Sequence, residues 1–262
     1  MRTLITSVDS IGRGLARTLP FDRVYAAEAV EQAARDDLDQ VTVTALAPLA
    51  WATNQAASED LMSIRRFQEV LATCRISHLT LISTCAVYPV PYQVDESSPI
   101  DPAFLPPYAR HRHDLEQWCL DRWDATVVRL PHVFGGPHRS EVRNPASDLA
   151  RFAALNPAST TQHYDLARLG GDLEAIYGIG LRLVNLVTPP LTSAQVLTDL
   201  LGVPFMPGAD AVPPVQRDVR SRYAGLLGGR DGYLETAEQA LVRIAMYMGD
   251  RRPVPAGAVE GG

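Results

Sequence analysis

Short apolar runs and helical stripes alternate along the first half of this chain. Residues 3–8, Thr-Leu-Ile-Thr-Ser-Val, have the length and composition of a buried strand. After the turn Asp9-Ser10, residues 11–19 predict a helix that Pro20 ends. Residues 24–27 predict a short second strand with Glu28 at its end. Residues 41–47, β-branched and apolar, predict a third strand that Pro48 stops. Ser58 suits the N-cap of a helix over 59–74, whose apolar residues Leu61, Ile64, Phe67, Leu71 and Cys74 recur at steps of three and four. A strand over 78–82 follows. Residues 89–107 are proline-rich and loop-like, and Pro106-Pro107 suit the start of a helix over 108–123. Residues 125–130 read as another buried strand.

Beyond Gly135 the pattern loosens. A helix is expected over 165–177, with Leu166, Leu169, Leu173 and Ile176 on one side. A strand over 181–187, a helix over 192–201 stopped by Gly202, and a last helix over 233–248 complete the series. Strands alternating with helices, without hairpin signals, predict an α/β fold: a Rossmann-like, doubly wound parallel sheet with helices on both faces. Such sheets hold their ligands at the carboxyl ends of the strands. The expected organisation is one domain, with residues 1–135 mainly a nucleotide-binding core and 136–252 mainly a small C-terminal substrate lobe. Residues 253–262 would be a flexible tail.

Composition narrows the function classes. The chain has 262 residues, ample for one packed core, and a formal net charge of −6 without a lysine-rich run, which argues against a nucleic-acid partner. Cys74, Cys85 and Cys119 lack metal-ligand spacing and are odd in number, so neither a metal centre nor a disulfide framework is expected. The amino-terminal residues lead into a strand rather than a signal peptide, and no apolar run reaches membrane-spanning length. A cytoplasmic protein that works on a small molecule, without membrane or nucleic acid, is the expectation.

The candidate chemistry lies between His78 and Gly136. Tyr108 and Arg112 stand four residues apart on one helix and so share a face. A fixed cation there favours the phenolate form of a tyrosine. A hydroxyl such as that of Thr84 can hydrogen-bond a substrate alcohol or carbonyl oxygen while the tyrosine moves a proton.

Three segments carry a family resemblance. Ser83-Thr84-Cys85-Ala86-Val87-Tyr88-Pro89 resembles a Ser-Ser/Thr-x-x-Val-Tyr-Gly motif that follows a strand. Tyr108, Arg112 and Glu116 match the spacing of Tyr-x-x-x-Lys followed by Glu. Arg129-Leu130-Pro131-His132-Val133-Phe134-Gly135 resembles Arg-x-x-Asn-Val-Tyr-Gly. Weaker echoes occur at His163 to Leu166, at Asn185 to Thr192 and from Asp218 to Gly228. Together they resemble the extended short-chain dehydrogenase/reductase superfamily, in its NAD-dependent epimerase/dehydratase branch. The resemblance implies a Rossmann domain with a small substrate lobe, and Thr84, Tyr108 and Arg112 as catalytic residues. It implies NAD or NADP, with NAD slightly preferred, held by Ser7, Ser10, Ile11, Gly12, Glu28, Ala47 and Arg112. Substrate contacts would come from Cys85, Ala86, His132, Arg139 and Arg217. The family also implies a homodimer through a four-helix contact of the helix after Ser58 and the helix bearing Tyr108.

The chain departs from the pattern in four places. Arg112 replaces lysine; it keeps the charge but is planar and not a practical proton donor, and a solvated helix arginine is its other reading. Ser7 and Ser10 stand where the cofactor turn wants glycines, Asp9 adds negative charge there, and the turn looks one residue short. The interval between Glu28 and Val41 is short for the further strand and adenine contact expected; Asp37 or Asp39 could echo that contact. Cys85 and Ala86 replace the Asp-Glu pair of sugar 4,6-dehydratases, which excludes that subclass. Cys85 itself reads as a small filler rather than a nucleophile.

The leading expectation is an NAD(P)-dependent epimerase or reductase acting on a nucleotide sugar or a related hydroxylated metabolite. The alternatives are the same fold doing non-redox acid/base chemistry, as an isomerase, cyclase or lyase, and a non-catalytic binding member.

Overall fold

The computed structural model describes residues 1–6, 10–44, 57–135, 156–196 and 213–249. Six parallel strands form the central sheet: β1 (Arg2–Thr6), β2 (Arg23–Ala26), β3 (Asp37–Val43), β4 (Arg75–Thr84), β5 (Ala125–Leu130) and β6 (Leu183–Asn185). Their order across the sheet is β6, β5, β4, β3, β1, β2. All six residues of β5 are buried, as expected of a strand covered on both faces. The chain crosses from β2 over β1 to β3, so the strand order reverses between β1 and β3, where open sheets of this kind form their ligand crevice.

Helices cover both faces. On one lie α2 (Ala57–Leu71) and α3 (Pro107–Arg122), whose Ile64, Phe67, Leu71, Leu115 and Cys119 pack with Leu79, Leu81 and Val127 of the sheet. On the other lie α1 (Ser10–Thr18) and α4 (Leu169–Ile179), whose Leu15, Leu173 and Ile176 pack with Ile82, Val128 and Val184. Two glycines set close approaches on this second face. A Cβ at Gly170 would stand 2.7 Å from the Thr18 hydroxyl, and one at Gly12 would stand 1.8 Å from that of Thr6. A last helix, α5 (Ala237–Gly249), closes a small satellite core with Leu191 and Val196. Two-residue and three-residue strands pair loops across the carboxyl end of the sheet: Tyr92–Val94 with Asp218–Val219, and His132–Phe134 with His163–Asp165.

The α/β expectation holds, and several boundaries move. The third strand is Asp37–Val43 rather than 41–47, because Leu38 is buried and extends the pairing with β4. Asp37 and Asp39 therefore lie at the amino end of β3, away from any cofactor crevice, and Asp39 pairs with the amino terminus at 3.1 Å. No strand separates the 3-10 segment Ala27–Ala33 from β3. The helix expected over 59–74 ends at Leu71, and the Cys74 thiol donates to the Ala33 carbonyl instead. The helix expected from 165 begins as a 3-10 turn capped by the Asp165 carboxylate, which accepts from the Ala167 amide. The last helix starts four residues later than expected. Of the helix over 192–201, only its first turn, capped by Thr192, lies within the described residues. The tail expected at 253–262 falls wholly outside them.

One buried ion pair ties the layers together. Glu116 of α3, with a fully buried side chain, meets Arg129 of β5: Nε lies 3.1 Å from both carboxylate oxygens and Nη2 2.6 Å from Oε2. The Ser83 hydroxyl of β4 donates to the same carboxylate. Arg129 also donates to the Tyr88 hydroxyl at 2.9 Å, and Asn185 of β6 donates to that oxygen at 2.9 Å. Burial pushes the Tyr88 phenol up to about 12, so it stays neutral and donates to the Asp95 carbonyl. Removing one partner of such a pair strands a buried charge. Glu116→Ala is expected to destabilise the fold by about 3 kcal/mol or more, read as a lower urea midpoint with an unchanged slope.

Candidate active site

The candidate residues gather where β4 ends and α3 begins. Thr84 closes β4 in extended conformation, and its Oγ1 accepts the Ala86 amide at 3.1 Å, which caps the 3-10 turn Cys85–Val87. With its oxygen engaged as acceptor, the hydroxyl proton is available to a ligand. Tyr108 stands one residue after Pro107, which opens α3, and α3 packs against the turn that follows Thr84. Pro106-Pro107 fix this helix start because a proline in the first turn loses no hydrogen bond.

Arg112 is buried, one turn along α3. Its guanidinium carbon lies 4.9 Å from the Tyr108 ring centroid, and Nη2 donates to Asp60 Oδ1 at 2.9 Å. The other oxygen of Asp60 meets His111 Nδ1 at 2.6 Å. Nη1 of Arg112 is buried and has no hydrogen-bond partner among the described residues. A solvated helix arginine is therefore ruled out as its reading. Asp60 is the residue that sequence reasoning missed. The signal was present: Asp60, Ile64, Phe67 and Leu71 fall on one helical stripe, and all four are buried, whereas Leu61 is only half-buried. A carboxylate on a buried stripe requires a partner.

The loop side of the site is built by histidines and an arginine. The rings of His132 and His163 lie 5.9 Å apart, and Thr161 hydrogen-bonds His163 Nε2 at 2.8 Å. Burial pushes His163 down to about 4; burial, with the neighbouring His163 and the Arg217 cation, pushes His132 down to about 3. Both rings are neutral at pH 7. Arg217 is half-buried, and among the described residues it has no carboxylate within ion-pair distance. Its charge bears on both His132 and Cys85. Cys85 is 7% exposed, and burial pushes its thiol far up, so it is no thiolate nucleophile. Ala86 is half-buried beside it.

At the cofactor end, α1 begins at Ser10, after the segment that leaves β1, and so turns the positive end of its helix dipole there. Gly12 lets that helix start press against Thr6, whose hydroxyl accepts from Thr44 at 2.6 Å. Ile11 packs with the core under α1. Glu28 is exposed and follows β2 by two residues. Ser7, Ala47 and Arg139 lie outside the described residues. Among the described residues, the helix bearing Tyr108 and Arg112 thus packs against the turn of Cys85 and Ala86 that follows Thr84, the Arg217 charge bears on both His132 and Cys85, and Gly12 and Glu28 lie just beyond β1 and β2.

Comparison with known proteins follows the same lines. The model of the NAD dependent epimerase/dehydratase family matches residues 22–166. No curated protein matches the sequence. Among solved structures, the UDP-N-acetylglucosamine 4-epimerase of Methanobrevibacter ruminantium, in complex with UDP-N-acetylmuramic acid, is similar over 96% of this chain and 99% of its own, at 13% identity and TM-score 0.69. The dTDP-4-dehydrorhamnose reductase of Bacillus anthracis, in complex with NADP, is similar over 94% and 98%, at 15% identity and TM-score 0.68. An NAD-dependent NDP-hexosamine 5,6-dehydratase of tunicamycin biosynthesis is similar over 96% and 98%, at 17% identity and TM-score 0.65. At these identities the likeness is one of fold. No helix among the described residues is long and apolar enough to cross a membrane.

The neutral histidines give a pH dependence with a definite sign. Their folded pKa values lie below the ordinary histidine value of 6.5, so between pH 6.5 and 4 the unfolded chain binds more protons than the folded one. Stability is expected to fall as pH drops through this window, by up to about 1.4 kcal/mol per pH unit for each histidine. Urea titrations between pH 7.5 and 5 would measure it, and His163→Gln should flatten the slope.

Proposed function

The chain belongs to the NAD-dependent epimerase/dehydratase family, and on that premise we propose that it is an enzyme that epimerises or reduces a nucleotide sugar, or a related hydroxylated metabolite, with NAD or NADP. The observation that carries this reading is the buried Arg112 Nη1, without a hydrogen-bond partner among the described residues and set beside Tyr108 on a helix that packs against the turn after Thr84. Burying a guanidinium nitrogen without a partner is costly unless a ligand oxygen completes it. A ribose hydroxyl suits that position, and the residues present fit a dinucleotide.

Arg112, the amino end of α1 at Ser10 to Gly12, and Glu28 would hold the dinucleotide, with Ser7 and Ala47 as the further candidates that the resemblance implies. When bound, a nicotinamide dinucleotide supplies hydride transfer. Glu28 follows β2 and can accept ribose hydroxyls, which favours NAD over NADP. Thr84 donates its hydroxyl proton to the substrate oxygen and orients it. Tyr108 gives or takes the proton at that oxygen. Asp60 acts through Arg112: by holding Nη2 it turns Nη1 towards the ligand and keeps the cation over the phenol ring. Arg217, with no carboxylate at ion-pair distance among the described residues, binds an anionic group of the substrate, with Arg139 as a second cation. His132, kept neutral, hydrogen-bonds a hydroxyl without adding charge, and Cys85 and Ala86 shape the wall beside Thr84. Residues 1–135 would thus serve the dinucleotide and 136–252 the substrate. The exposed side of α2, where Met62 is 69% exposed, together with α3 suits a homodimer through a four-helix contact.

Titration with NADH and NADPH, followed by fluorescence, is the direct test. Binding of at least one is expected, and no binding of either at millimolar concentration would overturn the reading. Tyr108→Phe should lower turnover by about 10²- to 10⁴-fold with cofactor affinity retained. Arg112→Ala should weaken the cofactor itself, and Arg112→Lys should restore it in part.

A further inference from the structure

A cavity of about 390 Å³ opens at the amino ends of the strands, at the far end of the sheet from Thr84 and on the face that carries α1 and α4. Its volume lies within the roughly 300–1,000 Å³ of small-molecule sites. The floor is polar in a regular way. Arg2, Gln40 and His78 share one rung of the sheet, and Thr42, Thr80 and Thr126 share the next. Higher on the same face the sheet is apolar, at Ile82, Val128 and Leu130.

Thr42 is 6% exposed and lines the cavity, yet its hydroxyl has no hydrogen-bond partner among the described residues. Its oxygen is not one of the sealed, unpartnered polar atoms, so it stays open to the cavity and can both donate to and accept from a ligand. The wall is aromatic and held in place: the Tyr177 hydroxyl is 2.9 Å from that of Thr80, and the Tyr177 ring meets His78 edge-on at 5.9 Å. The charges around the floor are already paired, Arg2 with Glu174 at 2.8 Å and His78 with Asp124 at 3.1 Å. Arg182, exposed at the rim, is held by the Leu120 carbonyl. Paired charges give an ion little advantage here, whereas hydroxyls and an aromatic wall favour a ring that carries hydroxyl groups.

We propose that this cavity is a second ligand site, separate from the catalytic end, for a neutral molecule of one or two rings bearing hydroxyls, either a nucleoside or a free sugar. The proposal stands independently of cofactor use at Tyr108, and its test needs no nicotinamide. Calorimetric titration of the full-length protein with adenosine, uridine, glucose and N-acetylglucosamine separates the two sources by which pair binds. Thr42→Val is nearly isosteric and removes no contact within the protein, so its folding is retained; Tyr177→Phe removes the second hydroxyl. A rise in Kd of about tenfold in either variant, the loss of roughly one hydrogen bond, is the expected result. No binding of any of the four at about 10 mM, or affinity unchanged in both variants, would overturn the proposal.

Discussion

The pairing of Glu116 with Arg129 is the constraint on which the candidate active site depends. Glu116 lies two turns beyond Tyr108 on α3, and it receives the hydroxyl of Ser83, the residue before Thr84. One carboxylate therefore sets the rotation and height of the helix that bears the phenol against the strand that bears the hydroxyl. A buried charge tolerates only a geometry that satisfies all of its lone pairs. The network continues through Tyr88 to Asn185, which donates to the Arg220 carbonyl. The sheet, the helix layer and the C-terminal segments thus share a single register.

A similar economy governs Arg112. Lysine would reach the same region with one point charge. Arginine offers a planar fork, and Asp60 takes one tine while the other stays uncommitted. The substitution that looked like a loss in sequence is, in the fold, a two-residue arrangement across α2 and α3, with His111 as the second ligand of the carboxylate. Charge is rationed on the opposite wall too: of His132, His163 and Arg217, only the arginine is charged at pH 7, because burial holds both histidines neutral.

Much of this was legible in the sequence. The strand–helix alternation, the spacing of Tyr108, Arg112 and Glu116, and the proline start of α3 are local properties, and local properties are written in neighbouring residues. Asp60 was legible in principle, as an acid on an apolar stripe, but its partners lie about fifty residues away and the stripe was assigned to Leu61. The early start of β3 was hidden because Asp37, Asp39 and Gln40 are polar; pairing with β1 and β4 on both sides outweighs their weak strand propensity. The two- and three-residue strands over the carboxyl end, and the convergence of Arg217 with His132, come from loops whose positions are set by tertiary contacts alone.

The shortened interval after Glu28 has a consequence at the margin of the sheet. With no further strand before β3, β2 is the border of the sheet, and it pairs with β1 alone. An uncovered border is a template for another chain's backbone. Here it is four residues long and mostly exposed, and Asp36 spans it, bonding Arg23 at 3.0 Å and the Tyr25 hydroxyl at 2.6 Å. Brevity and a fixed charge make it a poor template. That border is thus guarded against edge-to-edge pairing without the strand that would otherwise shield it.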